Sequence, residues 1–206
     1  MTLSLWAQSN LFNKDALAAI LTSSIHAVGN RGKTSFTLVE LLNTATLTHR
    51  GNASRFVLDA VPREHKTRWD ITLSSKWVEE MIKINSAFAY AVELADGVRK
   101  HMGGPACKKA NIVWHAQIVH PNSPNQALHM DDDVKHKRRY YYTLIIPLTN
   151  DHQAGGTFVP LLNKTFASFG GAIVFDGAVE HAGMGNKTNN DRIFLYAAIF
   201  TGYDRN

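Results

Sequence analysis

Cysteine is nearly missing from this chain: Cys107 stands alone among 206 residues. No internal disulfide can form, which fits a reducing compartment. Proline and glycine, at 6 and 14 residues, are too few for a fibrous or disordered chain. No apolar run approaches membrane-spanning length, and the best of them, Ile193 to Phe200, has the length of a strand. Met1-Thr2-Leu3-Ser4-Leu5-Trp6 lacks the basic start of a secretory signal. A cytoplasmic protein with no membrane partner is therefore the default expectation. Charge of one sign does not dominate either. The formal net charge is +5, enough to favour anionic small molecules. The densest basic run, Lys135-His136-Lys137-Arg138-Arg139, follows Asp131-Asp132-Asp133 closely, so the two partly neutralise each other. That run reads as a solvated face or the rim of a site. Nucleic acid is not an expected partner, because neither zinc-finger spacing nor an RNA-binding aromatic motif accompanies it. Nothing in the pattern speaks to oligomeric state.

What is present is an ordinary globular composition, 45% hydrophobic, in a chain long enough for one domain with a real core. Asn13 is placed to cap a helix from Lys14, with Leu17, Ile20, Leu21 and Ile25 as its apolar stripe. Phe36 to Leu42 fits a strand or a short helix. Arg55 to Val61 reads as a strand stopped by Pro62. Ser74 or Ser75 opens the longest expected helix: Trp77, Met81, Ile84, Phe88, Val92 and Ala95 recur at helical spacing, and Gly97 is the expected end. Cys107, beyond Gly103-Gly104-Pro105, reads as a loop thiol, with Lys108 and Lys109 leaving a reactive role open.

The second half changes character. Ile112–Val119, Tyr140–Pro147, Gly156–Leu161, Ala172–Phe175 and Ile193–Phe200 are rich in strand formers and divided by Gly, Asn and Pro turns. Short strands in such a series predict an antiparallel barrel or jelly roll. No internal repeat or long linker marks a second domain. Trp114, Tyr140, Tyr142 and Phe158 fit either a pocket lining or the sheet core.

His129-Met130-Asp131 lies among these strands. Alternate side chains on an extended chain share a side, so His129 and Asp131 face the same way. His181 can join them only if the sheet rolls on itself. Two imidazoles and one carboxylate hold a metal on one face and leave the opposite face open, the pattern of a non-haem Fe(II) oxygenase. Zinc is a chemical competitor for the same donors. Arg192, eleven residues after His181, begins a largely apolar strand. It reads as an end-of-strand surface arginine paired with Asp191 or another carboxylate, or as a bidentate clamp on a dicarboxylic acid.

Three blocks share a family likeness. Val119-His120-Pro121-Asn122, running on to Gln126-Ala127-Leu128-His129-Met130-Asp131, resembles the entrance to the iron site of phytanoyl-CoA dioxygenase-like enzymes, with Asn122 where glycine is usual. Gly155-Gly156-Thr157-Phe158-Val159-Pro160 resembles the family's Asn-Gly-(Ala/Pro)-Thr segment, although Leu161-Leu162-Asn163-Lys164 replaces the usual Gly-Ser-His. Gly170-Gly171 with the strand after it, then His181, Gly185, Asn186 and Arg192, resembles the family's final strands. The likeness covers roughly 119 to 200.

The resemblance implies a mainly β double-stranded β-helix (jelly roll, cupin-like) with supporting helices, and an oxygenase using Fe(II), 2-oxoglutarate and O2. It implies His129, Asp131 and His181 as iron ligands, Arg192 as the grip on the distal carboxylate of 2-oxoglutarate, Thr157 as its helper, and Gln126 beside the co-substrate or as a turn-stabilising amide. The expected organisation is one domain over 1–206, with 1–105 mostly helical support and partial cover, and 106–206 the metal-bearing β core. The expected activity is hydroxylation, desaturation, epoxidation or ring closure of a small molecule, with release of succinate and CO2. A carboxylate ligand at 131 favours hydroxylation over halogenation. A peptide hydroxylase and a non-catalytic jelly roll are the rival expectations.

Overall fold

The computed structural model describes residues 5–26, 35–46, 56–63, 66–103, 112–131, 141–149 and 155–200. Cys107, Tyr140, Asp132, Asp133 and the basic run from Lys135 to Arg139 lie outside the described residues. In chain order the elements are β1 (Leu5–Gln8), α1 (Lys14–Thr22), β2 (Ile25–His26), β3 (Ser35–Phe36), α2 (Leu38–Thr46), β4 (Val57–Arg63), β5 (Arg68–Leu73), α3 (Ser75–Ile84), α4 (Ser86–Gly103), β6 (Ile112–Val119), β7 (Tyr141–Pro147), β8 (Thr157–Val159), β9 (Lys164–Phe166), β10 (Ala172–Asp176), β11 (Ala182–Gly183) and β12 (Arg192–Phe200).

Seven strands form the major sheet in the order β1-β10-β7-β12-β6-β5-β4, every neighbouring pair antiparallel. A three-stranded sheet, β11-β8-β9, packs over one end of its inner face: Val159 and Phe166 from the small sheet meet Ile145, Ile173 and Phe175 from the large one. The opposite face of the major sheet carries the helices. Ile193, Leu195, Ala197 and Ile199 of β12, with Leu144 and Ile146 of β7 and Trp114, Ala116 and Ile118 of β6, share one core with Leu17, Ile20, Trp77, Met81 and Phe88 of the helices. This follows from the period of two: one set of alternate residues feeds the helix layer, the other the interior of the roll. Trp77, Phe88 and Trp114 stack edge-on in series, with centroids 5.0 and 5.1 Å apart. Each such pair contributes about 1 kcal/mol beyond its buried area.

The local signals mostly act as their chemistry suggests. Asn13 Oδ1 accepts from Ala16 N–H at 3.0 Å and starts α1. Phe36 ends a short strand and Leu38 begins a helix. The switch is a reciprocal cap in which Thr37 N–H donates to Glu40 Oε2 at 2.9 Å and Glu40 N–H to Thr37 Oγ1 at 3.2 Å. β4 runs through Pro62 to Arg63, which an edge strand tolerates because a missing N–H there leaves no ladder bond broken.

Other expectations are corrected. The helix read from Ser74 to Gly97 is two helices, because Asn85 takes an extended conformation, φ −136° and ψ 112°. Its Oδ1 caps Phe88 N–H at 2.9 Å and its Nδ2 donates to Ala16 O at 2.8 Å, tying α1 to the break. Gly97 does not end α4 but sits inside it, where an added Cβ would meet nothing within 4 Å. Ile25, expected on the stripe of α1, lies in β2 and is buried there, because Ser23 closes the helix with its N–H on Ala19 O. Among the described residues no helix is long and apolar enough to cross a membrane.

Candidate metal centre

Two segments far apart in sequence are zipped together at the mouth of the roll. Asn122 N–H donates to Asn186 O, Gln126 N–H to Gly183 O, and His129 and His181 exchange both backbone bonds at 2.9 and 2.8 Å. Turn chemistry sets the register. Asn122 adopts φ 61°, the left-handed region, so asparagine serves where the resembling family has glycine. Asn125 Oδ1 accepts from Gly185 N–H at 2.7 Å, and the fully buried Asn186 donates to Val119 O and Asn190 O.

The zip places the side chains of His129, Asp131 and His181 in one cluster, with a ligand atom of each within 4.8 Å of the others. Asp131 Oδ1 lies 3.8 Å from His129 Nε2 and 3.6 Å from His181 Nε2. Each imidazole has its Nδ1 committed, His129 to Ala127 O and His181 to Val179 O, both at 2.9 Å. A carbonyl only accepts, so Nδ1 carries the proton and Nε2 presents its lone pair to the cluster. Thr143 Oγ1 donates to Asp131 Oδ2 at 2.6 Å, which orients the other carboxylate oxygen. Burial, opposed by Asp131, holds His181 below the ordinary histidine range, so the neutral, ligating form is favoured. The donor set is chemically that of a facial two-histidine, one-carboxylate site, and it fits Fe(II) with open positions.

The cluster opens into a cavity of about 440 Å³ whose lining includes Gln126, Thr157, His181, Arg192, Phe194 and Tyr196. All six residues predicted from sequence therefore border one space. Arg192 is the first residue of β12, and the neighbouring Asp191 lies 2.8 Å from His120 Nδ1. Burial first, and the charge of Arg68 second, push the Arg192 guanidinium down to about 9. Gly155 leaves room for it: with φ +85°, an added Cβ would stand 2.8 Å from Arg192 Nη1. Gln126 Oε1 accepts from Gly183 N–H at 2.9 Å, so this amide is part of the zip as well as of the wall.

Other residues at the cavity went unread in the sequence. Thr143 is one; Tyr196 and Asp70 are two more, joined by a 2.6 Å hydrogen bond from the phenol to Asp70 Oδ2. Burial raises the Asp70 carboxyl, but bonding to His115 and Tyr196 outweighs it and the net shift is downward. His115 stacks on Tyr196 with 4.4 Å between centroids and 3° between planes. Alternation out from Arg192 reaches Tyr196, and alternation between the apolar Tyr142 and Leu144 reaches Thr143. Trp114 and Tyr142, two candidate pocket aromatics, point into the helix-side core instead, and Phe194 and Phe166 border the cavity in their place.

No family model matches the chain, and no curated protein matches it either. Solved structures do. A prolyl-4-hydroxylase from Pseudomonas putida aligns over 100% of this chain and 95% of its own, with a TM-score of 0.60 at 14% identity. EvdO2 from Micromonospora carbonacea var. aurantiaca, complexed with 2-oxoglutarate, covers 98% of this chain and 89% of its own, with a TM-score of 0.58 at 14% identity. SnoN, a non-heme alpha-ketoglutarate-dependent epimerase from nogalamycin biosynthesis, covers 95% of this chain and 76% of its own, with a TM-score of 0.57 at 12% identity. Identities this low speak of fold alone, and the fold shared with these structures is a double-stranded β-helix.

Proposed function

We propose that the protein is an Fe(II)- and 2-oxoglutarate-dependent oxygenase that oxidises a C–H bond of a small organic molecule, with residues 1–206 acting as one domain. The observation that carries this reading is the paired tautomer lock: both Nδ1–H groups are spent on carbonyls, leaving two Nε2 lone pairs beside the Asp131 carboxylate. Structural histidines have no need of that arrangement; ligands do.

In this reading His129, Asp131 and His181 hold the metal. Arg192 grips the distal carboxylate of 2-oxoglutarate with its fork, Thr157 adds a hydroxyl, and Gln126 shapes that side of the cavity. When bound, Fe(II) with 2-oxoglutarate and O2 supplies the oxidising power, coupled to decarboxylation of the keto acid to succinate and CO2. The chain's own task is placement. Thr143 donates to Asp131 Oδ2 and so would leave Oδ1 to face a metal held by the buried His181 and the half-exposed His129. A retained carboxylate at 131 supports hydroxylation rather than halogenation.

The motif likeness to phytanoyl-CoA dioxygenase-like enzymes supports a small-molecule substrate, as does the fold likeness to SnoN, an epimerase of nogalamycin biosynthesis. A peptide hydroxylase is the second reading, favoured by the prolyl-4-hydroxylase that aligns over the whole chain. Anaerobic titration with Fe(II) and 2-oxoglutarate tests the centre: a visible charge-transfer band is expected, and its absence from folded, iron-loaded protein rejects the oxygenase in favour of a binding jelly roll. Succinate release screened against metabolite and proline-peptide libraries, with mass detection of an oxidised product, separates the two substrate readings.

A further inference from the structure

Away from the arginine end, the cavity wall is built to accept hydrogen bonds. Tyr196 lies four residues along β12 from Arg192, about 13 Å away on the same face. Burial, with the Asp70 charge beside it, holds the Tyr196 phenol well above its ordinary range, so the phenol is the donor and Asp70 the acceptor. Its single proton is spent on Asp70 Oδ2 at 2.6 Å, and its oxygen can only accept from a ligand. The ionised Asp70 likewise offers acceptors alone. His115 fixes the pair: its ring stacks on Tyr196, and its Nδ1 lies 3.2 Å from both Asp70 Oδ1 and Thr72 Oγ1.

The register sets this wall beside the metal ligands. Tyr196 pairs with Ile145, and its diagonal neighbour Thr143 holds Asp131. Arg63 completes the flank. It pairs with Arg68, one alternate position from Asp70, so Arg63 and Asp70 share a face as diagonal neighbours roughly 7 Å apart. Both border the cavity. Arg63 is exposed and, among the described residues, makes no ion pair. With Asp131 given to the metal and Arg192 to the co-substrate, Asp70 and Arg63 are the charged lining residues that remain to meet a substrate.

We propose that Asp70 with Tyr196, and Arg63 beside them, form a head-group subsite for a zwitterionic, amino-acid-like substrate, the acceptor pair taking its ammonium and Arg63 its carboxylate. This rests on the oxygenase reading above and names the substrate class of that site. Opposite charges at adjacent positions match a molecule that carries both on one carbon. A head group held there leaves the rest of the molecule to extend toward His129, Asp131 and His181. A residue inside a peptide has lost both charges to amide bonds, so the same wall favours a free amino acid over a peptide. A neutral polyol would meet the phenol oxygen but use neither charge.

The test is calorimetry on the full chain loaded with Mn(II) and 2-oxoglutarate, using the standard protein amino acids as probes, each free, N-acetylated and as its methyl ester. Wild type is expected to bind at least one free amino acid, with N-acetylation weakening it about 30-fold and esterification about fivefold. Folded Asp70→Asn is expected to bind the free and N-acetyl forms alike, and Arg63→Gln the free acid and its ester alike. General damage to the cavity would not erase one penalty and keep the other. A blocked form that binds wild type as well as the free amino acid does, or variants that keep both penalties, overturns the inference. So does a wild type that binds no free amino acid. In that case the charge-transfer band of the anaerobic Fe(II)–2-oxoglutarate complex separates the two readings: its presence leaves the oxygenase standing, and its absence removes both. Should Asp70→Asn fail to fold, the wild-type comparison and Arg63→Gln, an exposed substitution on an edge strand, decide.

Discussion

On one face of β12, Ile193, Leu195, Ala197 and Ile199 belong to the apolar core beneath the helices; on the other, Arg192, Phe194 and Tyr196 line the cavity. The two sets alternate in one strand, yet their energetics differ in kind. The helix face contributes stability, roughly in proportion to the apolar area it removes from water. The cavity face carries a buried guanidinium, a phenol tied to a carboxylate and, through β7, the threonine that steers Asp131. Tyr196 and Thr143 on that face are held by hydrogen bonds to carboxylates. The comparison predicts that substitutions on the two faces separate cleanly between melting and function.

The sharpest break comes at the ligands. His181→Ala is expected to lower iron-dependent turnover by about 1,000-fold or more, because a two-donor site neither retains nor orients the ion. Its melting temperature should stay near wild type, since the ring contacts mainly Phe175 and His129 and no helix. Retained turnover, measured as succinate release with defined iron, would remove His181 from the ligand set. The helix face should answer in the opposite sense. Leu195 is fully buried, and Leu195→Ala is expected to cost about 3 kcal/mol in denaturant unfolding while turnover per folded molecule holds. Equal losses in both measurements would mean that the two faces are not independent.

The same contrast explains what the sequence made legible. The late strands show as runs of strand formers between turn residues, so β6, β7, β10 and β12 are readable to within a residue or so, and His129, Asp131, His181 and Arg192 stand out because their chemistry is unusual among or beside such strands. The first hundred residues are harder. β1 and β5 belong to the major sheet, but β1 pairs with β10 and β5 with β6, far along the chain, and local pattern carries no record of that. Asp70 is invisible for this reason: only register with β6 brings it to the cavity. The Asn85 break was missed because the apolar period continues across it, whereas the interruption is a backbone event stabilised by a tertiary bond to Ala16.

Arg192 is where the faces trade against each other. Its folded value of about 9 is below the ordinary arginine range, so the folded state holds this proton less tightly than the unfolded chain. Stability therefore rises with pH across that window, and at neutral pH the charged group costs the fold. Arg192→Met is expected to raise the melting temperature of the ligand-free protein, by an amount equivalent to about 1–3 kcal/mol. It should also raise the 2-oxoglutarate requirement by several tens of fold. A drop in stability, or an unchanged co-substrate requirement, would break the assignment of Arg192 to the cavity face.

The smallest effect probes how far the cavity face depends on residues that touch no ligand. Thr143→Val keeps the size and β-branching of a buried strand residue and removes only the donor to Asp131 Oδ2. The freed carboxylate gains rotamers and loses its fixed orientation, so metal affinity should fall by about tenfold, in line with other groups that orient metal ligands. Backbone pairing to β10 and β12 is untouched, so melting of the metal-free protein should hardly change. Competition with a chelator of known affinity reads the first quantity and calorimetric melting the second. A variant that keeps its metal but melts early would place Thr143 with the helix-face residues in function as well as in sequence, and the division of β7 into a stabilising side and a chemical side would no longer hold.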